Sequence, residues 1–485
     1  MTINDIVTLL PLIALSVSAA TIMLVIPFRR SHRLTFGLTL GALLVCFALL
    51  PVSLFWGSAR VCPLLTVDGF ALFYMGLFLL TTAVVAGLSY EYIEGRETKK
   101  EEFYVLLLIG TLGASIIVSS AHFASLFLGL ELLSVALYVL IAYLRSINLH
   151  FEAAIKYLIL ASTSVAFLLF GMALIYADVG TMSFRGIADA ITMSERLDAL
   201  LLAGSVLLLI GIGFKLAVVP FHLWTPDVYQ GAPSPVAGFI ATASKGSIVA
   251  LLLRYFSIVG SERFDSLFMM LSIIAVASML AGNILALLQR NVKRLLAYSS
   301  ISHMGYMLVA LLASGNAAIF AISFYLIVYF IATLSAFGVI SVLSAKERDY
   351  DELSEYRGLA YQHFWLSALM TGALLSLAGI PITAGFIGKF LLVSAAVGAR
   401  LWLLIIALII SSAINVFYYL RVVVYLYSRP GEEYVLLPEE TREVLPSFSI
   451  CAGFALAALA FLLVLVGIFP SPLIRLIQIL AMQLE

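Results

Sequence analysis

The sequence predicts an all-α integral membrane protein of about fourteen transmembrane helices, with two oppositely oriented units that each contain a broken helix. Three observations predict it. Of the 485 residues, 63% are hydrophobic and 11% charged, against about 25% charged in ordinary globular domains, and mean hydropathy is +1.12. Apolar runs of about 18 or more residues recur along the whole chain, long enough to cross a bilayer as helices, whereas barrel strands would alternate over about ten residues. Two of these runs are interrupted by Gly and Pro close to a lysine.

The first run, near 5–28 in "MTINDIVTLLPLIALSVSAATIMLVIPF", lacks a basic leader and a small-residue cleavage site, and is read as a retained helix rather than a signal peptide. Runs near 35–57, 68–92, 102–119, 122–144, 151–177 and 198–224 follow, divided by charged or Gly/Pro punctuation. The second half continues with runs near 234–258, 265–288, 293–313, 318–344, 363–397, 401–427 and 447–469, and closes on a short amphipathic tail at 471–484. With the N-terminus outside, the inner loops collect fifteen Lys and Arg residues, from Arg29 to Arg442, and the outer ones six. That asymmetry follows the positive-inside rule and predicts both termini on the outer side.

Composition excludes several classes of function. Net charge is zero and no long basic run occurs, so nucleic acid is not a partner. Cys46, Cys62 and Cys451 lie far apart without a CxxC pair, which argues against an iron–sulfur cluster, a zinc site or covalent haem. The hairpin "EGRETKKEEF" (94–103) reads as a solvated charged turn, and "RPGEEYVLLPEETREVLP" (429–446) as a polar connection.

Four ionisable residues stand deep in apolar runs: Glu131, Lys215, Lys245 and Lys389. Together they oppose insertion by roughly 10–14 kcal/mol gross, and intramembrane charges mark pathways or relays. One carboxylate cannot neutralise three ammonium groups. Burial disfavours an ammonium and a nearby carboxylate restores it, so moving the partner charge switches a lysine between holding and releasing a proton. The plainer reading pairs Glu131 with one lysine as a packing device and lets the others snorkel.

Pro220 lacks an N–H, which leaves the Leu216 carbonyl without its helical donor, so the helix is expected to break just after Lys215, with a carbonyl-rich end beside the ammonium. A second interruption, Gly379, Pro381 and Gly385 in "LSLAGIPITAGFIGKF", precedes Lys389. Paired interruptions of this kind point to a transport site, and their spacing by an odd number of helices makes the two units inverted. His222 and His303 are secondary relay candidates because histidine titrates nearest physiological pH. Glu152 and Lys156, four apart, suit a local ion pair.

With these residues in place, "SLFLGLELLSVALY", "GFKLAVVPFHLWTPDVYQGAPSPVAGFIATASK", "NVKRLLAYSSISHMGYMLVAL" and "LSLAGIPITAGFIGKF" make the chain resemble the antiporter-like membrane subunits of respiratory complex I, from about residue 60 to the last helix. "FHLWTPDVYQGAP" and the absence of a long lateral helix after residue 469 favour the smaller subgroup over its larger paralogues. The resemblance implies two inverted five-helix repeats, 102–260 (helices 4–8) and 261–428 (helices 9–13), between an N-terminal unit 1–101 and a C-terminal unit 429–485. It implies that Glu131 modulates Lys215, that Lys245 is the central relay lysine and Lys389 the exit-side one, and that one proton crosses per catalytic cycle. It places NAD, FMN, iron–sulfur clusters and quinone in other subunits, with no cofactor here. The implied partners are other membrane-arm subunits, including antiporter-like paralogues, the NADH-oxidising arm indirectly, and the lipid of a bacterial inner membrane. A subunit of a multi-subunit sodium/proton antiporter, a non-pumping quinone-contacting scaffold, and a free-standing solute transporter are the competing readings.

Overall fold

In hydrocarbon a backbone must satisfy its own hydrogen bonds, and nearly all of this chain does so as helix. The computed structural model describes residues 3–56, 60–144, 148–193, 199–260, 265–344, 348–429 and 450–481. The chain runs α1 (Ile3–Val25), α2 (His32–Trp56), a small hairpin of β1 (Arg60–Cys62) and β2 (Leu65–Thr66), α3 (Gly69–Glu94), α4 (Glu101–Ser119), α5 (Phe123–Ile141), α6 (Asn148–Val179), α7 (Phe184–Met193) and α8 (Ala199–Leu216). It continues as α9 (Trp224–Gly231), α10 (Ser234–Phe239), a π turn (Ile240–Ser244), α11 (Lys245–Val259), α12 (Asp265–Leu287), α13 (Val292–Ala313) and α14 (Gly315–Leu343). A 3₁₀ turn (Leu353–Tyr356) and α15 (Leu359–Gln362) lead to α16 (Phe364–Ala378), α17 (Ala384–Gly398), α18 (Trp402–Tyr427), α19 (Ile450–Ile468) and α20 (Ser471–Ala481).

Among the described residues, thirteen helices are long and apolar enough to cross a membrane, counting Ser234–Val259 as one. The one predicted run without such a helix, 363–397, is split into α16 and α17, of 15 residues each, at Gly379–Thr383. The run predicted over 198–224 ends at Leu216, where Ala217 turns to φ +60°, and the chain re-enters helix at Trp224. Five of the loop cations behind the predicted orientation, Arg145, Arg196, Arg263, Lys346 and Arg442, lie outside the described residues, as does most of the connection 429–446.

The centre of the bundle is Ser234–Val259, buried without interruption from Ser234 to Tyr255, with α13 and α14 beside it. The hairpin at 94–103 departs from its expected solvated character. Glu101 is buried, and the Arg96 side chain is buried against Asp349. Helix starts carry the caps their sequences provide: Asp68 Oδ1 accepts from Ala71 N at 2.8 Å, and Asn291 Oδ1 from Arg294 N at 3.0 Å.

Helix pairs close on small residues, as expected where apolar burial supplies no driving force between helices. Along α6 and α8 the approach is near the limit. A Cβ on Gly171 would stand 2.6 Å from Gly204 O, one on Gly204 2.9 Å from Gly171 O, and one on Gly211 2.6 Å from Leu168 Cβ. Ser164 Oγ also donates to Gly211 O at 3.0 Å. Substituting Gly171 or Gly204 by Ala is therefore expected to push α8 off α6 at a cost of about 1–3 kcal/mol. Native-gel yield of the assembled protein should fall for both variants, and Gly398→Ala, with open space at its Cβ, should leave it unchanged.

Candidate functional site

The four ionisable residues of the apolar runs sit on four different elements: Glu131, partly buried, on α5, Lys215 on the last turn of α8, Lys245 on the first turn of α11, and Lys389 on α17. Each lysine is buried and hydrogen-bonded. Lys215 Nζ donates to Ser134 Oγ at 2.6 Å, one turn along α5 from Glu131. Glu131 Oε1 is itself buried without a hydrogen-bond partner, and no ion pair joins it to a lysine among the described residues. The packing reading, which needs that pair, is not what the chain forms.

Between Lys215 and Lys245 stand aromatic rings. Lys215 Nζ lies 5.9 Å from the Tyr157 ring, Tyr157 lies 4.9 Å from the Trp224 ring, and Lys245 Nζ lies 6.0 Å from Trp224 and 5.4 Å from Tyr229. At such distances ring faces attract ammonium groups without accepting their protons. Trp224 is fixed by its own donor, Nε1 to Phe214 O at 3.0 Å. The freed carbonyl end of α8 is thus used by Trp224, not by Lys215 as the sequence suggested.

From Lys245 to Lys389 the connection is polar. Lys245 Nζ donates to Ser300 Oγ at 2.8 Å, and Ser300 lies 3.4 Å from Tyr229 Oη. His303, three residues along α13, bonds Tyr325 Oη through Nδ1 at 2.6 Å and Tyr419 Oη through Nε2 at 3.1 Å. Tyr419 Oη also meets Ser299 Oγ. Lys389 Nζ lies 5.3 Å from the Tyr306 ring and donates to Ser412 Oγ at 3.0 Å and to Ala378 O at 2.7 Å. That carbonyl ends α16, so here an ammonium does occupy the carbonyl end of a broken helix. Tyr306 Oη continues into Asn283, which also holds Ser411 and Tyr418.

His222 is not part of this line. It sits half-buried in the turn after α8, with Nδ1 buried and unpartnered. Lys156 forms the expected pair with Glu152 at 2.7 Å and also bonds Asp227 at 2.9 Å; Arg294 holds the other Asp227 oxygen at 2.7 Å, tying α9 to α6 and α13. No group of three or more His, Cys, Asp or Glu residues suited to a metal occurs among the described residues.

Sequence reasoning missed three buried charges. Arg254 pairs with Asp68 at 2.6 Å, and Lys293 and Arg96 pair with Asp349 at 2.7 and 3.0 Å. Lys293 and Arg96 stand at helix ends and so read as loop cations, while Arg254 lies inside an apolar run where nothing marks its partner. Burial pushes the Asp349 carboxyl up, but the Lys293 ammonium and the Arg96 guanidinium overcome it and hold it well below the usual carboxylate range.

A family model described as NADH:quinone oxidoreductase/Mrp antiporter, TM, matches residues 120–415, the stretch that contains all four ionisable residues. Over 481 residues the chain is 47% identical to the NADH-quinone oxidoreductase subunit N of Methylococcus capsulatus, covering 98% of this chain and 95% of the relative. The chain belongs to the NADH-quinone oxidoreductase subunit N family. A second subunit N relative, from Ectopseudomonas mendocina, is 46% identical over 487 aligned residues, 98% of this chain and 97% of its own. A chain in the structure of respiratory complex I from Thermus thermophilus with bound Aureothin superposes with TM-score 0.81 at 32% identity, covering 96% of this chain and 98% of that one. The fold alone is shared with a chain of the Mrp complex from Dietzia sp. DQ12-45-1b, at TM-score 0.83 and 20% identity over 99% of this chain and 97% of that one. It is likewise shared with a chain of the membrane-bound sulfane sulfur reductase, an archaeal respiratory membrane complex, at TM-score 0.84 and 21% identity over 98% and 97%.

The pKa of the Asp349 carboxyl is depressed on folding, so its contribution is full above the unfolded value of about 4 and is lost only as pH falls through the lower folded value. The gap in thermal midpoint between the parent assembly and Asp349→Asn should therefore stay constant between about pH 8 and pH 5. A gap that closes within that window would show that the carboxyl titrates there and is not held by Lys293 and Arg96.

Proposed function

We propose that this chain is a proton-translocating membrane-arm subunit of an NADH:quinone oxidoreductase, a multi-pass protein of the bacterial inner membrane with both termini on the periplasmic side. It works beside other membrane-arm subunits, including antiporter-like paralogues, within a translocase. NADH oxidation and quinone reduction, with their flavin, iron–sulfur and quinone centres, occur in other subunits, and this chain contributes proton movement without a redox centre. The two inverted five-helix units, 102–260 and 261–428, frame that movement.

One observation carries the reading: three buried lysines lie in file from Glu131 to Lys389, each ammonium on a hydroxyl or a terminal carbonyl. An intramembrane ammonium of this kind is costly unless it is used. Glu131 governs whether Lys215 holds its proton. Lys245 passes protons to the hydroxyls and imidazole of Ser300, His303 and the tyrosines around them, since a histidine bonded at both nitrogens accepts at one and releases at the other. Lys389 is the exit-side residue. His222, with an unpartnered nitrogen in the turn after α8, is a subsidiary proton carrier at the first break. The antiporter reading has support from the joint family description and from the fold of the Mrp neighbour.

NADH-driven proton uptake in inverted membrane vesicles tests this with Lys215→Ala, assembly being checked on the same membranes. Uptake should be lost in an assembled complex; uptake at the parental level would make the buried charges structural. Glu131→Gln should slow NADH-driven turnover, and turnover unchanged across pH would sink the proposed role of the carboxylate. Ser134→Ala removes one charge-assisted hydrogen bond worth about 1.5–3 kcal/mol, and should slow uptake by roughly 10- to 150-fold.

A further inference from the structure

The helix run that carries Lys245 and the helix that carries Ser300 touch through the Lys245–Ser300 hydrogen bond, and the same two helices are joined again at their ends by one carboxylate. Asp349, in the connection after α14, accepts four hydrogen bonds. Tyr92 Oη at 2.6 Å and Arg96 Nη1 at 3.0 Å reach Oδ1, while Ser234 Oγ at 2.6 Å and Lys293 Nζ at 2.7 Å reach Oδ2. Ser234 is the first residue of α10, at the start of the continuous buried run that leads to Lys245. Lys293 is in the first turn of α13, seven residues before Ser300 and so on the same face of that helix. Lys293 is wholly buried and donates as well to Ala232 O at 2.6 Å, just ahead of Ser234.

A single oxygen, Oδ2, therefore receives one donor from each helix, and the same two helices present Lys245 and Ser300 to each other further in. At the far end of its run the Lys245 helix is held a second time. Arg254 gives Nη1 and Nη2 to Asp68 at 2.8 and 2.6 Å, and Nε to Val118 O at 2.9 Å. With both ends tethered, the run is not free to slide along its axis, and the spacing between it and α13 is set where Asp349 holds them.

We infer that Asp349 is a positioning residue for proton transfer at Lys245: by holding Ser234 and Lys293 on one carboxylate it fixes the separation of the two helices and so the Lys245–Ser300 distance. The inference rests on the proposed proton role of Lys245. Its rival is charge compensation, in which Asp349 only neutralises a buried lysine.

A paired substitution separates the two. Removing one partner of a buried pair leaves an uncompensated charge and destabilises strongly, whereas replacing both partners is often neutral. Asp349→Asn combined with Lys293→Met therefore removes both members of the Lys293 pair and keeps the net charge of the junction while loosening it, with Arg96 the one cation left without its carboxylate. In inverted vesicles the double variant should assemble and oxidise NADH, with proton uptake per assembled complex roughly tenfold below the parent, within the about hundredfold that a 1 Å misplacement of reacting groups costs. Asp349→Glu, which keeps the carboxylate at a longer reach, should recover part of the uptake. Parental uptake in an assembled double variant overturns the inference and leaves charge compensation.

Should the double variant fail to assemble, Ser234→Ala decides, because it removes one neutral donor and strands no charge. It must assemble with uptake reduced at least about twofold, the loss of one modest hydrogen bond, and parental uptake overturns the inference. Lys245→Ala, run in parallel, keeps the two claims apart. Parental uptake there overturns the proton role of Lys245 and the inference with it. Loss there with parental uptake in the Asp349 and Ser234 variants overturns the inference alone.

Discussion

The constraint on which this structure depends is that a peptide group left unbonded in hydrocarbon costs several kcal/mol. The chain can leave helical geometry inside the bundle only where other donors stand ready. After α8, Ala217 N and Val218 N turn back to Phe214 O and Gly213 O at 2.9 and 3.0 Å, and Val219 N finds Ser278 Oγ at 2.9 Å. After α16, Gly379 N and Ile380 N both return to Leu375 O, and Lys389 takes the Ala378 carbonyl. The two breaks are thus stabilised by different means, an indole and a serine in one case and an ammonium in the other.

That difference carries into the site. At the first break the lysine faces a serine near an unpaired carboxylate, with aromatic rings between it and the next lysine. At the second, hydroxyls, an imidazole and amides surround the path from Lys245 to Lys389. One segment of the file has a carboxylate at its start and is walled by rings, and the other is lined by separate clusters of hydrogen-bonding groups around Ser300, His303 and Lys389. In the relay proposed above, the ring-walled segment would serve to separate loading from delivery and the polar one to pass the proton on.

Much of this was legible in the sequence because hydrocarbon makes exceptions visible. Glu131, Lys215, Lys245 and Lys389 each interrupt a run of apolar residues, and Pro220 and Pro381 mark the breaks beside them. The fourteen runs were likewise readable from length alone. What escaped notice has a common cause: the cost of a charge depends on burial in three dimensions, and one-dimensional context conceals it near helix ends. Lys293 follows Asn291 at a cap, Arg96 belongs to a charged hairpin, and Asp349 lies in a polar connection, so each reads as solvated until the helices are assembled around it. The π turn before Lys245 and the small hairpin before α3 left no periodic signal at all. Whether Lys215 or Lys389 would take the free carbonyl end of its helix was not decidable either, because that turned on Trp224, a residue from beyond the break.

The glycine contacts between α6 and α8 have a mechanical consequence. Only a third of the membrane-crossing part of α6 is buried, so most of that helix faces outward, where a neighbouring subunit or lipid bears on it. At Gly171, Gly204 and Gly211 it meets α8 with backbone nearly against backbone, and the last of these points lies one turn before Lys215. Close-packed interiors have low compressibility and transmit strain, and here only the inner atoms of Ile175 and Leu168 stand between the two backbones. The two helices move as one strut, so a push on the outer side of α6 arrives at the lysine with little slack.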